Sequence, residues 1–286
     1  MASETLKKMV ASETLKKMEA AAAAAEEAEE AEETQRLFLL LLSQHEEEEE
    51  EGKAGNPSSS SSSSSAFVLH RLIHLSRSPS QRSFLAAQHA VPRLLPLLTL
   101  TLPQSLHTLV LLLKLLRNLC AGEPSNQQAF LDSDGVSCIS FIITEILKGK
   151  EGKAKAKHEP SKEEDNVHFQ EEKVKAEEEN EGLFCSVLQI SLQLLGNVCA
   201  AGEAQREAVW ISFFPTKLRT LVSIAKEYGK LTVIDPLCMI IYTCSHGVRD
   251  RLMDLCHGEG AMLVFDCIGS FNGDDDGKSF SFILTP

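Results

Sequence analysis

Three groups of side chains in this chain could do chemistry. The first is a set of thiols and imidazoles, Cys244, His246, Cys256 and His257. Zinc takes such ligands, but in closely spaced pairs, and the chain contains no Cys-x-x-Cys. A free cysteine otherwise behaves as a small apolar residue. The second is Asp274-Asp-Asp276. It lacks the helix–loop–helix frame of a calcium site and reads as a solvated tail. The third would be a nucleophile with its base. There is no Gly-rich phosphate loop, no G-x-S-x-G and no H-E-x-x-H, and the histidines are scattered. The expectation is no enzyme, no metal and no cofactor. Trp210, the single Trp, is expected in a core beside Phe213 and Phe214.

The elements that would carry any site are helical. Aromatic residues make up only 6%, which is thin for a β-sandwich. Leucines recur at helical spacing, as in Leu69, Leu72 and Ile73, then Leu94, Leu95, Leu97 and Leu98, then Leu109, Leu112, Leu113 and Leu116. Segments end at Ser76-Arg-Ser-Pro-Ser80 and Gly122-Glu-Pro-Ser-Asn126, which punctuate short helices. The Leu94–Leu116 stretch is interrupted by Pro96, Pro103, His107 and Lys114, so it makes a poor membrane span. The first residues carry no secretory pattern. The expectation is a soluble cytoplasmic protein without membrane contact, its thiols reduced.

Charge and complexity divide the chain further. The net charge is −13, with −9 in residues 1–65 and −4 in residues 149–182. The remainder is neutral, which offers no basic footprint for nucleic acid. Residues 1–65 hold a tandem copy (Ala2–Met9 and Ala11–Met18), an Ala/Glu stretch, a Glu run and a Ser run. This segment reads as low-complexity and largely disordered: its Ala/Glu part suits a helix but buries little apolar surface apart from the short Leu37–Leu42 patch, and its Glu and Ser runs are expected to be solvated. Residues 149–182, rich in Lys and Glu, read as an inserted disordered loop, and residues 272–286 as a loose tail. The folded parts are then 66–148 and 183–271.

A repeat runs through those parts. Leu115-Leu-Arg-Asn-Leu-Cys-Ala-Gly-Glu123 matches Leu194-Leu-Gly-Asn-Val-Cys-Ala-Ala-Gly-Glu203. Each leads into a Gln-bearing helix start, at Asn126-Gln-Gln and Gln205-Arg-Glu. Weaker copies are Leu72-Ile-His-Leu-Ser76 followed by Gln81, and Ile240–His246 followed by Val248-Arg-Asp-Arg. Ser76, Cys120, Cys199 and Cys244 then share one slot, at spacings of 44, 79 and 45. Removing the 34-residue insert reduces 79 to 45. A period of 44–45 residues lies in the range of armadillo and HEAT repeats. Such units bury their faces only by stacking into a solenoid. Gly122 and Gly202, just past the slot, are expected at positive φ in C-terminal helix turns. The expected fold is an all-α, armadillo-like helical-repeat solenoid of about four repeats.

The phrase "LLRNLCAGEPSNQQAFLDSDGVSCISFI" resembles an armadillo repeat junction. With "LLGNVCAAGEAQREAVW…FFP" and "PLCMIIYTCSHG", it resembles the ataxin-10 family over residues 66–271. The resemblance implies a cytoplasmic, non-enzymatic interaction protein with links to cell survival and cytokinesis. It also implies that the family's C-terminal domain is missing beyond Phe271. The helix near Met262–Ile268 is too apolar for a terminal cap, so self-association is expected there. The partners expected are other proteins, including a second copy of the chain. Armadillo proteins use an Asn on the last helix of each repeat to bond an extended peptide, since an amide both donates and accepts. The matching positions are His74, Asn118, Asn197 and Tyr242; one turn earlier stand His70, Lys114, Gln193 and Cys238. The competing reading is that Asn118 and Asn197 satisfy local backbone groups near helix ends. No Trp occupies the earlier position, which argues against the peptide class of nuclear-import adaptors. The competing readings are another armadillo adaptor and a regulatory subunit of an enzyme, for example one related to ubiquitin ligases.

Overall fold

A computed structural model describes residues 2–51, 61–156, 167–213, 221, 231–245 and 251. Ten helices and no strand occur among the described residues. They are α1 (Ala2–Glu51), α2 (Ser61–Leu75), α3 (Pro79–Ala87), α4 (Ala90–Thr101), α5 (Leu106–Leu119) and α6 (Pro124–Asp132), then α7 (Gly135–Ala156), α8 (Val167–Cys199), α9 (Glu203–Phe213) and α10 (Leu231–Ser245). The fold class is all-α.

Local chemistry sets the breaks. Pro79 and Pro124 open α3 and α6, where a missing N–H costs nothing. Ser105 caps α5, its hydroxyl accepting from the Thr108 N–H at 3.2 Å. Pro103 lies in the turn before it, so the leucine-rich stretch becomes two helices packed on each other. His89 and Asp134 both take left-handed backbone, φ 52° and 57°, before α4 and α7. These residues are 45 apart, so the same turn recurs at the repeat period.

Packing follows two series. α1 packs on α2, α2 on α5, α5 on α8 and α8 on α10. On the other side, α3 meets α4, α4 meets α6 and α7, and α7 meets α9. One continuous apolar core lies between them. α5 is buried nearly all round, through Leu109–Leu113, Leu115, Leu116 and Leu119, as befits a helix with neighbours on several sides. Ser76, Cys120, Cys199 and Cys244 are all fully buried, so a small side chain closes each helix end of the series. Cys199 and Cys244 touch, Sγ to Sγ, at 3.6 Å.

Three expectations need correction. Residues 33–44 do not belong to a disordered segment. In α1, Thr34, Phe38, Leu41 and Leu42 fall on one helical face and are buried. Phe38, Leu41 and Leu42 share a core with Val68, Leu69 and Leu72 of α2. Thr34 Oγ1 donates to Gln81 Oε1 at 2.9 Å, and Arg71 forks onto Glu33 at 2.7 and 2.8 Å. A short apolar patch suffices because a neighbouring face completes it. Second, the charged insert 149–182 is not a loop throughout. α7 continues to Ala156 and α8 begins at Val167, because Ala, Glu and Lys readily extend helices already nucleated. Third, Gly122 has φ 67°, as expected, but Gly202 does not take positive φ. Cys199-Ala-Ala-Gly202 holds one residue more than Cys120-Ala-Gly122, so Gly202 becomes the residue before α9, its carbonyl accepting from Arg206 N–H.

The stretch Glu179–Cys199 is long and apolar enough to cross a membrane by length and composition, but 56% of its most apolar window is buried inside the structure. Met262–Ile268, Phe214 and residues 272–286 lie outside the described residues.

Phe38→Ala should destabilise the chain by about 3–5 kcal/mol in urea unfolding, as for other buried aromatics. Exposed Leu39→Ala should change stability by less than about 0.5 kcal/mol. Equal effects at the two positions would remove α1 from the core. The hydrogen bond and charge of Arg71 hold the Glu33 carboxyl below its usual range. Its contribution is therefore present above the ordinary carboxylate pKa and is lost as pH falls through the depressed value. Glu33→Gln should abolish that part of the acid sensitivity.

Candidate functional site

The face to be built is the exposed side of the series α2, α5, α8 and α10. The structure brings the six expected residues onto these successive helices. His74 and Tyr242 are exposed; Lys114, Asn118, Gln193 and Asn197 are half-buried. His70 is exposed, with its ring centroid 6.4 Å from that of His107, and Cys238 is half-buried.

The two asparagines are not free. Asn118 Nδ2 donates to the Ile73 carbonyl at 3.2 Å and to Ser76 Oγ at 3.1 Å. Asn197 Nδ2 donates to the Arg117 carbonyl at 2.9 Å. Each amide thus ties its own helix to the C-terminal end of the preceding one. The last carbonyls of a helix have no partner within it, and burying them unmet is costly. Asn118 Oδ1 accepts from Arg117 Nη2 at 3.1 Å, and Arg117 Nη1 donates to Gln193 Oε1 at 2.8 Å. His74, Met239 and the ring of Tyr242 are exposed on this face, and Lys114 is half-buried.

A second set of polar side chains does related work, and its role was not read from the sequence. Gln127 Nε2 donates to the Cys120 carbonyl at 2.9 Å and to the Asn197 carbonyl at 2.8 Å. Asn126 Nδ2 donates to Leu119 O at 3.0 Å and Arg82 O at 3.3 Å. Arg251 Nη1 donates to Cys244 O at 3.0 Å, seven residues back, the offset Gln127 uses. The signal was present in the Gln- and Arg-bearing helix starts that follow each slot.

The sulfur chemistry is quiet. Burial pushes the Cys120 thiol up to about 12, and burial with the nearby Asp134 carboxylate pushes Cys138 up to about 11. The thiol contact with Cys244, together with burial, raises Cys199. These thiols are protonated at neutral pH and poor nucleophiles. Among the described residues, no group of three or more His, Cys, Asp or Glu could hold a metal ion. His246, Cys256, His257 and Asp274–Asp276 lie outside them. Trp210 is half-buried against the core, with the Arg251 guanidinium 5.9 Å over its ring.

The neutrality of the folded part is an average. No Asp or Glu occurs from Gly52 to Gly122, a span holding seven Lys and Arg. Burial, with the Arg77 charge, lowers the pKa of one of these, Arg117. An open depression at Arg77 is lined by Glu30, His74, Leu75, Arg77 and Ser78.

No protein-family model matches the chain, and no curated protein or solved structure matches it either.

Gln127→Leu leaves two buried carbonyls without their donor and should destabilise the chain by about 1–3 kcal/mol or more. Asn197→Ala should fall in the same range. Tyr242→Ala, at an exposed position, should stay within about 0.5 kcal/mol. Urea titrations of the three variants would check this ordering, and a neutral Gln127→Leu would overturn the stapling role.

Proposed function

We propose that this chain is a non-enzymatic protein–protein interaction scaffold, an armadillo-like solenoid of the ataxin-10 type. The carrying observation is recurrence: successive helices α2, α5, α8 and α10 share one buried small residue at their ends. Side-chain amides stitch each to the next along α2, α5 and α8. Units that repeat at 44–45 residues and bury themselves only against neighbours are the physical basis of a solenoid. Such a series offers one long polar face, on which His74, Lys114, Gln193 and Tyr242 stand beside Asn118 and Asn197. In this reading the asparagines position the helices, and the exposed residues meet the partner. The resemblance to the ataxin-10 family carries the proposal of a cytoplasmic role in cytokinesis or cell survival.

The test is affinity capture from cell lysate with a His74→Ala/Met239→Ala/Tyr242→Ala variant, none of whose substitutions touches the amide bridges. Specific partners should be captured by the natural chain and lost from the variant, with helicity and melting unchanged. Partners that persist on the variant would move the binding surface elsewhere. A chain that captures only chaperones would sink the scaffold reading.

A further inference from the structure

The distribution of charge on this face indicates the chemistry of what it binds. Helices α2, α3, α4 and α5 and their joining turns contain no carboxylate side chain. Arg71 is neutralised from outside this block, by the bidentate contact of Glu33 in α1. Glu30 of α1 reaches the rim of the neighbouring depression. Further along, no ion pair meets Arg77, Lys114 or Arg117 among the described residues. Arg117 is half-buried, and its guanidinium is held by the neutral amides of Gln193 and Asn118. A guanidinium fixed by its amide partners presents its remaining N–H groups in the planar fork that suits carboxylate oxygens, and Arg77 follows Ser76, whose hydroxyl accepts from the neighbouring Asn118. His70, His74 and His107 add donors on the same two helices. Along the face, α8 and α10 continue with the uncharged Gln193, Asn197, Met239 and Tyr242, and the exposed Asp235 stands one turn before Met239.

We infer that the α2–α5 part of this face binds an acidic, extended segment of a partner protein. The inference rests on the scaffold reading and names the partner class for it. The carboxylates of that segment would take up Arg77, Lys114 and Arg117 as Glu33 takes up Arg71. Its uncharged end would lie toward Tyr242. Helices packed about 8–10 Å apart make the path from α2 to α10 about 25–30 Å. That is about eight residues of extended chain. Nucleic acid is the weaker fit, because this end of the face carries one exposed ring, Phe67 on α2, and not the succession of rings on which bases stack.

The experiment uses the full chain and fluorescence anisotropy. The probe is a labelled peptide of about eight residues, Glu-rich with one Leu at its C-terminal end. The controls are the same peptide with Gln for Glu, and an oligouridylate of matched length. The Glu peptide should bind at least about tenfold tighter than the Gln peptide, and the difference should vanish at high salt, where surface charges are screened. Arg77→Glu/Lys114→Glu should remove the preference. Arg77→Gln/Lys114→Gln, a milder variant, should weaken it by several fold, and both should keep the natural far-ultraviolet spectrum and melting. Equal binding of the two peptides, unchanged binding by either variant, or tighter binding of oligouridylate would overturn the inference. If the acidic peptide fails while lysate partners still require His74, Met239 and Tyr242, the scaffold reading survives and the acidic class falls. If the peptide binds as expected while lysate capture ignores those residues, the scaffold reading falls alone.

Discussion

Every helix in this chain that ends inside the structure must find partners for its last carbonyls. Helices α2, α5 and α8 end one after another against neighbours, so water cannot meet all of that need. Side-chain amides meet it instead. Asn118 reaches back to Ile73 and Ser76, Asn197 to Arg117, and Gln127 to Cys120 and Asn197 at once. One requirement, met in the same way at each junction, both ends a helix and sets its register against the previous one.

The small buried residue at each junction follows from that geometry. A bulky side chain at Ser76, Cys120, Cys199 or Cys244 would push apart the ends that the amides join. Gly135 makes the same point elsewhere: a methyl group there would stand 2.7 Å from the ring of Phe130. Close approach, rather than reactivity, accounts for the cysteines. α1 extends the principle to the start of the series, where Phe38, Leu41 and Leu42 cover an apolar face of α2 that would otherwise be open to water.

Charge is arranged on a longer scale than any single contact. Acids crowd into α1 and into the chain beyond Gly122, while the span between holds none. Arg71 and Glu33 show how the two signs meet within the chain. Beyond that pair Glu30 of α1 lines a depression with Arg77, and Lys114 and Arg117 make no ion pair among the described residues. A surface organised in this way gives association its selectivity through charge complementarity and its strength through desolvated contacts such as an aromatic ring.

The sequence by itself determined the all-α class, the helix breaks at Pro and Ser clusters and the 45-residue register, because leucine spacing and turn chemistry are local. It also exposed the acid-free span from 52 to 122, although total charge hides it. The fate of the polar side chains was decided only in three dimensions. In one dimension Asn118 and Asn197 read either as groove amides or as partners of local backbone groups near helix ends; the acceptors that claim their donors lie on the neighbouring helix, 40 to 80 residues away in sequence. The same holds for Leu37–Leu42, whose shortness says nothing until α2 supplies the opposing face. A hydrogen-bond donor goes to whichever acceptor is nearest and dry, and tertiary packing alone sets which acceptor that is.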